Sequence, residues 1–120
     1  MATIKLCTDL EQSKKLAEIL PLESADMYWW STSLRYYIEA IDDGDFNEEE
    51  GHIRAWSLAA LLGVLPTKLQ IVLAINNFQG DRKEKYAIGS VEHDKYDCFA
   101  DNPVDACYEM ILKLHELNLL

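Results

Sequence analysis

The stretch MYWWSTSLRYYIEAI, residues 27–41, predicts a β-hairpin and therefore a fold that contains sheet. Its two ends, MYWW and LRYYIEAI, are rich in aromatic and β-branched residues, which favour strands, and the polar STS between them suits a turn. In the second strand Arg35 and Glu39 point away from a set of residues that share one face: Leu34, Tyr36, Ile38 and Ala40. This alternation is typical of a half-buried strand, so one face of the hairpin needs another layer to cover it.

Three segments around the hairpin predict helices. TDLEQSKKLAEIL precedes it, and there Thr8 and Glu11 have the spacing of a capping box. WSLAALLGVLP follows with Ser57 as N-cap, and ADNPVDACYEMILKLHELNLL closes the chain with Asn102 as N-cap and Pro103 at the first helical position. Apolar residues recur at helical spacing in all three segments, so each helix is predicted to present one apolar face to a core.

The second half of the chain resembles the first in its order of elements. LQIVLAI and YAIGSV predict two further strands, joined by the turn-forming NNFQGDRKEK. The first of these strands places four residues on one face: Leu69, Ile71, Leu73 and Ile75. The order helix, Leu-Pro, strand, turn, strand occurs twice, which a weak structural duplication explains, with chance as its competitor. The predicted layout αββ-αββ-α is a single α+β domain over residues 1–120, a two-layer sandwich of one antiparallel four-stranded sheet with helices on one face.

The charge balance limits the partners. Eleven basic and twenty-one acidic residues give a formal net charge of -10, which argues against direct binding to nucleic acid or to an anionic membrane. A charged partner is therefore expected to be basic. No apolar run is long enough to span a bilayer, and the N-terminus lacks a signal sequence, so a cytoplasmic protein is expected. Cys7, Cys98 and Cys107 follow no metal-binding or disulfide pattern and are predicted to be reduced thiols, mostly buried.

The acidic stretch DDGDFNEEE, residues 42–50, is the first candidate for a site. As a calcium loop it fails, because a register that starts at Asp43 puts Glu48 at the glycine position and Arg54 at the position of the bidentate glutamate. Its carboxylates fit a solvated connector, a surface that steers a basic partner, or weak binding of divalent ions. Zinc-ligand spacing, nucleophile motifs and phosphate-binding glycine loops are lacking, so we expect no metal, no cofactor and no catalytic residues.

The aromatic residues of the hairpin form the second candidate. Neighbouring residues of a strand face opposite sides, so Tyr28 with Trp30 and Met27 with Trp29 cannot share a face, and one set must point away from the helices. Either loops or a partner helix cover that set, or it is an exposed patch for another protein or a second copy, because Trp and Tyr are favoured binding anchors.

Three segments carry a resemblance to a known family: EQSKKLAEILPLESADMYW, AWSLAALLGVLP and ADNPVDACYEMILKLHELNLL. Together they resemble a family of small proteins carried by prophages and other mobile elements of Bacteroides-like gut bacteria. The central block of that family reads Pro-Ala-Trp-Ser, whereas Arg54 stands at the proline position here. The resemblance implies a compact α+β domain and a mobile-element origin, and it brings no activity or catalytic residues.

These observations favour a non-enzymatic protein-interaction module of phage or mobile-element origin. The candidate interaction residues are Tyr28, Trp29, Trp30, Tyr37, Asp42, Asp43, Asp45, Glu48, Glu49 and Glu50. Two alternatives stay open: an acidic DNA mimic that inhibits a host nucleic-acid-binding protein, and a small hydrolase or transferase. A homodimer through a sheet edge or through the aromatic face is a further expectation.

Overall fold

The computed structural model describes residues 5–41, 45–76, 83–91 and 93–120, with the side chains of residues 93–97 excepted. Within these ranges the helices are α1 (Leu10–Ala17), α2 (Leu58–Val64) and α3 (Pro103–Glu116). The strands are β1 (Met27–Ser31), β2 (Tyr36–Ala40), β3 (Ile53–Ala55), β4 (Ile71–Ile75), β5 (Tyr86–Ser90) and β6 (His93–Ala100). Single 3-10 turns lie at Leu22–Ser24, Glu48–Glu50 and Thr67–Leu69.

The strands form two separate antiparallel sheets of three strands each, in the orders β2-β1-β3 and β4-β5-β6. The fold class α+β is confirmed, and the single four-stranded sheet is not what the structure has. Two strands are not predicted from the sequence. The strand β3 is too short to show a period, and β6 begins with the polar and charged residues HDKYD, most of which do not favour strands.

The two halves share an order of elements but not a topology. A helix followed by three strands occurs twice, yet the central strand of the sheet is the first of the three in one half and the second in the other. Because the strand pairing differs, the predicted duplication does not extend beyond the order of elements.

The helices begin where side chains cap them. Ser57 and Asn102 accept hydrogen bonds from the backbone of α2 and α3, as predicted. The capping box of α1 is shifted by one residue from the prediction, because Asp9 and Gln12 form it instead of Thr8 and Glu11. Thr8 is fully buried, and its hydroxyl bonds the Ser13 hydroxyl at 2.8 Å and accepts from the backbone amide of Trp56 at 3.1 Å.

The core lies around α3, which packs on the inner face of the second sheet, with α2 against α3 and α1 against β3. Trp56 is its largest fully buried side chain. Several residues of α3 are also fully buried: Val104, Ala106, Cys107, Met110, Ile111 and Leu114. Leu69, Ile71 and Leu73 pack against this core as predicted, but Ile75 at the end of the same face is 70% exposed. Leu34, predicted to face the core, lies before β2 and is 90% exposed.

The cysteines are free thiols, and two of them are buried as predicted. Burial, with the nearby carboxylate of Asp26 adding to it, raises the pKa of Cys7 to about 11, and burial raises the pKa of Cys107 to about 12. Both thiols are therefore protonated and unreactive at neutral pH. Cys98 is half-buried and packs against the core.

Among the described residues, no helix has the length and apolar character needed to cross a bilayer.

Candidate functional site

A row of aromatic and charged side chains lies on one face of the first sheet, opposite to the face that carries Trp29. On this face Tyr28 of β1 lies between Glu39 of β2 and Arg54 of β3, and Trp30 lies opposite Tyr37. The Tyr28 hydroxyl donates to Glu39 Oε2 at 3.0 Å, and the Trp30 and Tyr37 rings stack with centroids 4.5 Å apart. The strand alternation read from the sequence is confirmed, so only one of the two neighbouring tryptophans belongs to this row.

Residues 45–52, which we call the acidic segment, lie over this face and cover Tyr28. Phe46 meets the Tyr28 ring edge-on at 5.4 Å, and His52 stacks on it at 5.0 Å, which leaves Tyr28 only 1% exposed. The backbone amide of Asn47 donates to His52 Nδ1 at 3.0 Å, and His52 Nε2 lies 3.7 Å from Glu50 Oε2. Gly51 ends the turn at φ 86, a conformation that suits glycine and returns the chain to β3.

Sheet and acidic segment together border an open cleft of about 580 Å³, which we call the aromatic–acidic cleft. Its rings come from Tyr28, Trp30, Phe46 and His52, and its carboxylates from Glu39, Asp45 and Glu50. The lining contains no lysine or arginine among the described residues. Carboxylates beside aromatic faces make a site suited to a positively charged group.

Two arginines show, outside the cleft, how this face holds a cation. The Arg54 guanidinium lies 4.6 Å from the Phe46 ring centroid, and its Nε donates to Glu48 Oε1 at 2.7 Å. The Arg35 guanidinium lies 4.8 Å from the Tyr37 centroid, and its Nε donates to the Tyr37 hydroxyl at 2.8 Å. Each stacks on an aromatic ring and donates to an oxygen beside it, which is the geometry a planar guanidinium favours.

Arg54 also links the acidic segment to the turn Leu22–Ser24. Besides Glu48 and Phe46 it reaches the carbonyl oxygen of Leu22 at 3.3 Å. Replacing Arg54 by alanine is expected to lower the free energy of unfolding by about 1 kcal/mol, the sum of a partly exposed ion pair and a cation–π contact. The same change should speed amide hydrogen exchange at Glu50 and Gly51, whose amides close the turn.

Arg35→Ala is the matched control, because Arg35 stacks on Tyr37 without touching the acidic segment. Equal exchange rates for Glu50 and Gly51 in the two variants would contradict the fastening role of Arg54.

The structure brings together five of the ten residues predicted from sequence: Tyr28, Trp30, Tyr37, Asp45 and Glu50. Trp29 lies on the opposite face of the sheet, where its indole N–H donates to the carbonyl oxygen of Thr8 at 3.0 Å. Glu48 is engaged by Arg54, and Glu49 is exposed beside the cleft without lining it. Asp42 and Asp43 lie outside the described residues.

Four residues of the cleft are not predicted from the sequence: Glu39, Phe46, Asn47 and His52. The one available signal was Phe46 itself, because a large apolar side chain within an acidic run needs a surface to pack on. For Glu39, the sequence pattern indicates only a position on the polar face of a strand.

Other features do not compete with the cleft as a site. A cleft of about 650 Å³ near Ile19, Val64 and Leu120 is mainly apolar, and among the described residues its lining has one titratable side chain, that of His115. Over the part of the chain that the structure describes, three or more His, Cys, Asp or Glu side chains never gather in an arrangement that could hold a metal ion.

By its elements the chain is an α+β protein of two antiparallel sheets, with the aromatic–acidic cleft on the first sheet. Comparison with protein-family models, with curated proteins and with solved structures found no match.

Proposed function

We propose that this chain is a non-enzymatic protein-interaction module that binds a basic partner by receiving an arginine or lysine side chain in the aromatic–acidic cleft. The observation that carries the proposal is the convergence of four rings and three carboxylates in a cleft whose described lining holds no lysine or arginine. We further propose that the module acts in the cytoplasm and comes from a phage or mobile element, an origin that rests on the sequence resemblance alone.

The rings give the cleft its chemical preference. A cation over an aromatic face contributes roughly 0.5–1 kcal/mol at exposed sites and about 2 kcal/mol when it is desolvated. A guanidinium stacks flat and can donate to two carboxylate oxygens at once, whereas an ammonium is a strongly hydrated point charge. The contacts of Arg54 with Phe46 and of Arg35 with Tyr37 use this chemistry within the chain itself. The preferred group is therefore arginine.

The charge of the whole chain favours the same partner class. A net charge of -10 attracts a basic protein over a distance, and the attraction is screened beyond a Debye length of about 10 Å at 0.1 M salt. Long-range attraction raises the association rate, while the cleft contacts slow dissociation. Binding should therefore weaken with salt but retain a salt-resistant part that comes from the rings.

The test removes charge from the cleft and, in a matched control, from the surface beside it. The cleft variant is Asp45→Asn with Glu50→Gln, and the control is Glu49→Gln with Glu23→Gln, two exposed carboxylates outside the lining. A basic partner captured by the wild-type chain is expected to bind the cleft variant at least about tenfold more weakly, a change of 1.4 kcal/mol. The control, which has the same net charge, should bind within about twofold of the wild type.

The measurement is a binding titration of the purified pair at low and high salt. Equal loss in both variants would contradict the cleft and favour the acidic decoy, in which the number of carboxylates matters and their position does not. No loss in either variant would contradict both.

A further inference from the structure

The outer edge of the second sheet is the part of the fold that the proposed function leaves unused. The strand β4 pairs with β5 on one side, and no described residue pairs with its other side. An edge strand with an open row of backbone donors and acceptors is a template for another strand. Natural proteins block such edges with charges, proline or bulges, and β4 reads IVLAI, which has none of the three.

The register of β4 with β5 shows which backbone groups point outward. The amide of Asn76 donates to the carbonyl oxygen of Lys85 at 2.7 Å, and the carbonyl oxygen of Gln70 accepts from Val91 at 3.1 Å. Residues with even numbers therefore bond to β5, because hydrogen-bonded pairs alternate in an antiparallel ladder. Ile71, Leu73 and Ile75 turn their amides and carbonyls away from it, which gives six outward groups.

We propose that β4 pairs with β4 of a second copy of this chain, antiparallel about a two-fold axis at Leu73. In this register Leu73 lies opposite its own equivalent, and Ile71 lies opposite Ile75 of the other copy. All three outward residues then belong to hydrogen-bonded pairs. The three outward amides and three outward carbonyls of one copy therefore form six hydrogen bonds with those of the other copy. A two-fold axis is the common symmetry of a dimer and needs the same surface from both copies.

The side chains of β4 fit a second copy on both faces of the sheet. On the core side the 70% exposed Ile75 of each copy would lie beside Ile71 of the other. On the outer side Val72, which is 49% exposed, would lie opposite Ala74 of the other copy. Apolar side chains directly across from each other on neighbouring strands stabilise a sheet. The pairing thus buries the exposed apolar side chains of this strand.

Charge favours this edge over that of β2. Residues 69–77 contain no charged side chain, so two copies that each carry -10 approach where their repulsion is weakest. The edge strand β2 of the first sheet instead carries Glu39 and follows Arg35. Salt screens the repulsion between copies, so self-association should strengthen with salt, whereas binding of a basic partner should weaken.

The test is sedimentation velocity over a range of concentrations, with Ile75→Lys and, as matched control, Leu34→Lys. Both variants replace an exposed aliphatic side chain by lysine, but Leu34 lies in the turn between β1 and β2 of the first sheet and not in β4. We expect the wild type and Leu34→Lys to dimerise alike, and Ile75→Lys to raise the dimer dissociation constant at least about tenfold. A wild type that stays monomeric up to concentrations of order 1 mM, or a dimer that Ile75→Lys leaves intact, would overturn the proposal.

Amide hydrogen exchange of the wild type gives a second readout that needs no variant. The Leu73 amide should gain protection as the concentration rises, while the Ala74 amide, bonded to β5 within one chain, should be protected throughout. A dimer without concentration-dependent protection of Leu73 would place the interface elsewhere. The outcome does not depend on the cleft, because neither readout involves a cleft residue.

Discussion

Replacing Trp56 by alanine is expected to destabilise the protein more than any other single change considered for this chain, by about 3–5 kcal/mol. Trp56 is fully buried, its indole N–H donates to the Ser24 hydroxyl at 2.9 Å, and its backbone carbonyl accepts from the Thr8 amide at 2.9 Å. The side chain thus joins the turn after α1 to the helical core, while the backbone of Trp56, which alanine keeps, bonds Thr8 before α1. The loss is a large share of the 5–15 kcal/mol by which domains are typically stable.

The measurement is urea unfolding followed by far-ultraviolet circular dichroism. Trp29→Ala is the control, since Trp29 is half-buried and its ring lies at the surface of the first sheet. We expect the control to cost clearly less than Trp56→Ala, because less buried surface is lost. Equal costs for the two tryptophans would contradict the position of Trp56 at the centre of the core.

Replacing Tyr28 by alanine is expected to cost about 3 kcal/mol and to abolish partner binding. The Tyr28 ring lies buried beneath the aromatic–acidic cleft, and Phe46 and His52 pack on it directly. Without the ring these side chains lose the surface that holds residues 45–52 over the sheet. The carboxylates of Asp45 and Glu50 would then no longer converge beside Trp30.

Tyr28→Phe separates the ring from its hydroxyl. It keeps both ring contacts and removes the hydrogen bond to Glu39, which is expected to cost about 1 kcal/mol and to leave binding within a few-fold of the wild type. Unfolding titrations and partner binding on both variants check the prediction. A phenylalanine variant as damaged as the alanine variant would contradict the role of the ring contacts.

Local signals in the sequence predicted the local structure well. The hairpin at residues 27–41, all three helices and the caps Ser57 and Asn102 follow from patterns within one turn or one strand pair. The misplaced cap of α1 shows the limit of such signals. Thr8 and Asp9 both suit an N-cap, and Asp9 takes the position because Thr8 is used in a buried contact with Trp56, forty-eight positions along the chain.

The division into two sheets depends on long-range pairing and was not predictable in this way. The strand β3 has only three residues, and its place beside β1 comes from the pairing of Met27 with Ala55 and of Trp29 with Ile53. No periodic pattern within so short a segment announces that pairing. Because the sequence patterns indicate only the other four strands, they predict one sheet of four strands.

The cleft was half predictable for the same reason. Strand alternation separates Trp29 from Trp30, as the structure confirms, and the acidic run contains Asp45 and Glu50, which line the cleft. The acidic run lies beside the aromatic strand because Phe46 and His52 pack on Tyr28. Contacts of this kind join segments far apart in the chain, and composition does not reveal them.

The cleft is tested most directly by titrating the 15N-labelled protein with Nα-acetyl-arginine amide and, in parallel, with the citrulline analogue. Citrulline matches arginine in shape but carries no charge, so it isolates the recognition of the cation. A single side chain should bind weakly, with a dissociation constant on the order of 1 mM.

We predict that the arginine compound shifts the resonances of the Trp30 indole N–H and of the amides of Asp45, Phe46 and His52. The citrulline compound should leave them in place, and the Asp45→Asn, Glu50→Gln variant should lose the response. Equal shifts with both compounds, or shifts centred on Trp29 instead of Trp30, would contradict an aromatic–acidic cleft that receives a cationic side chain.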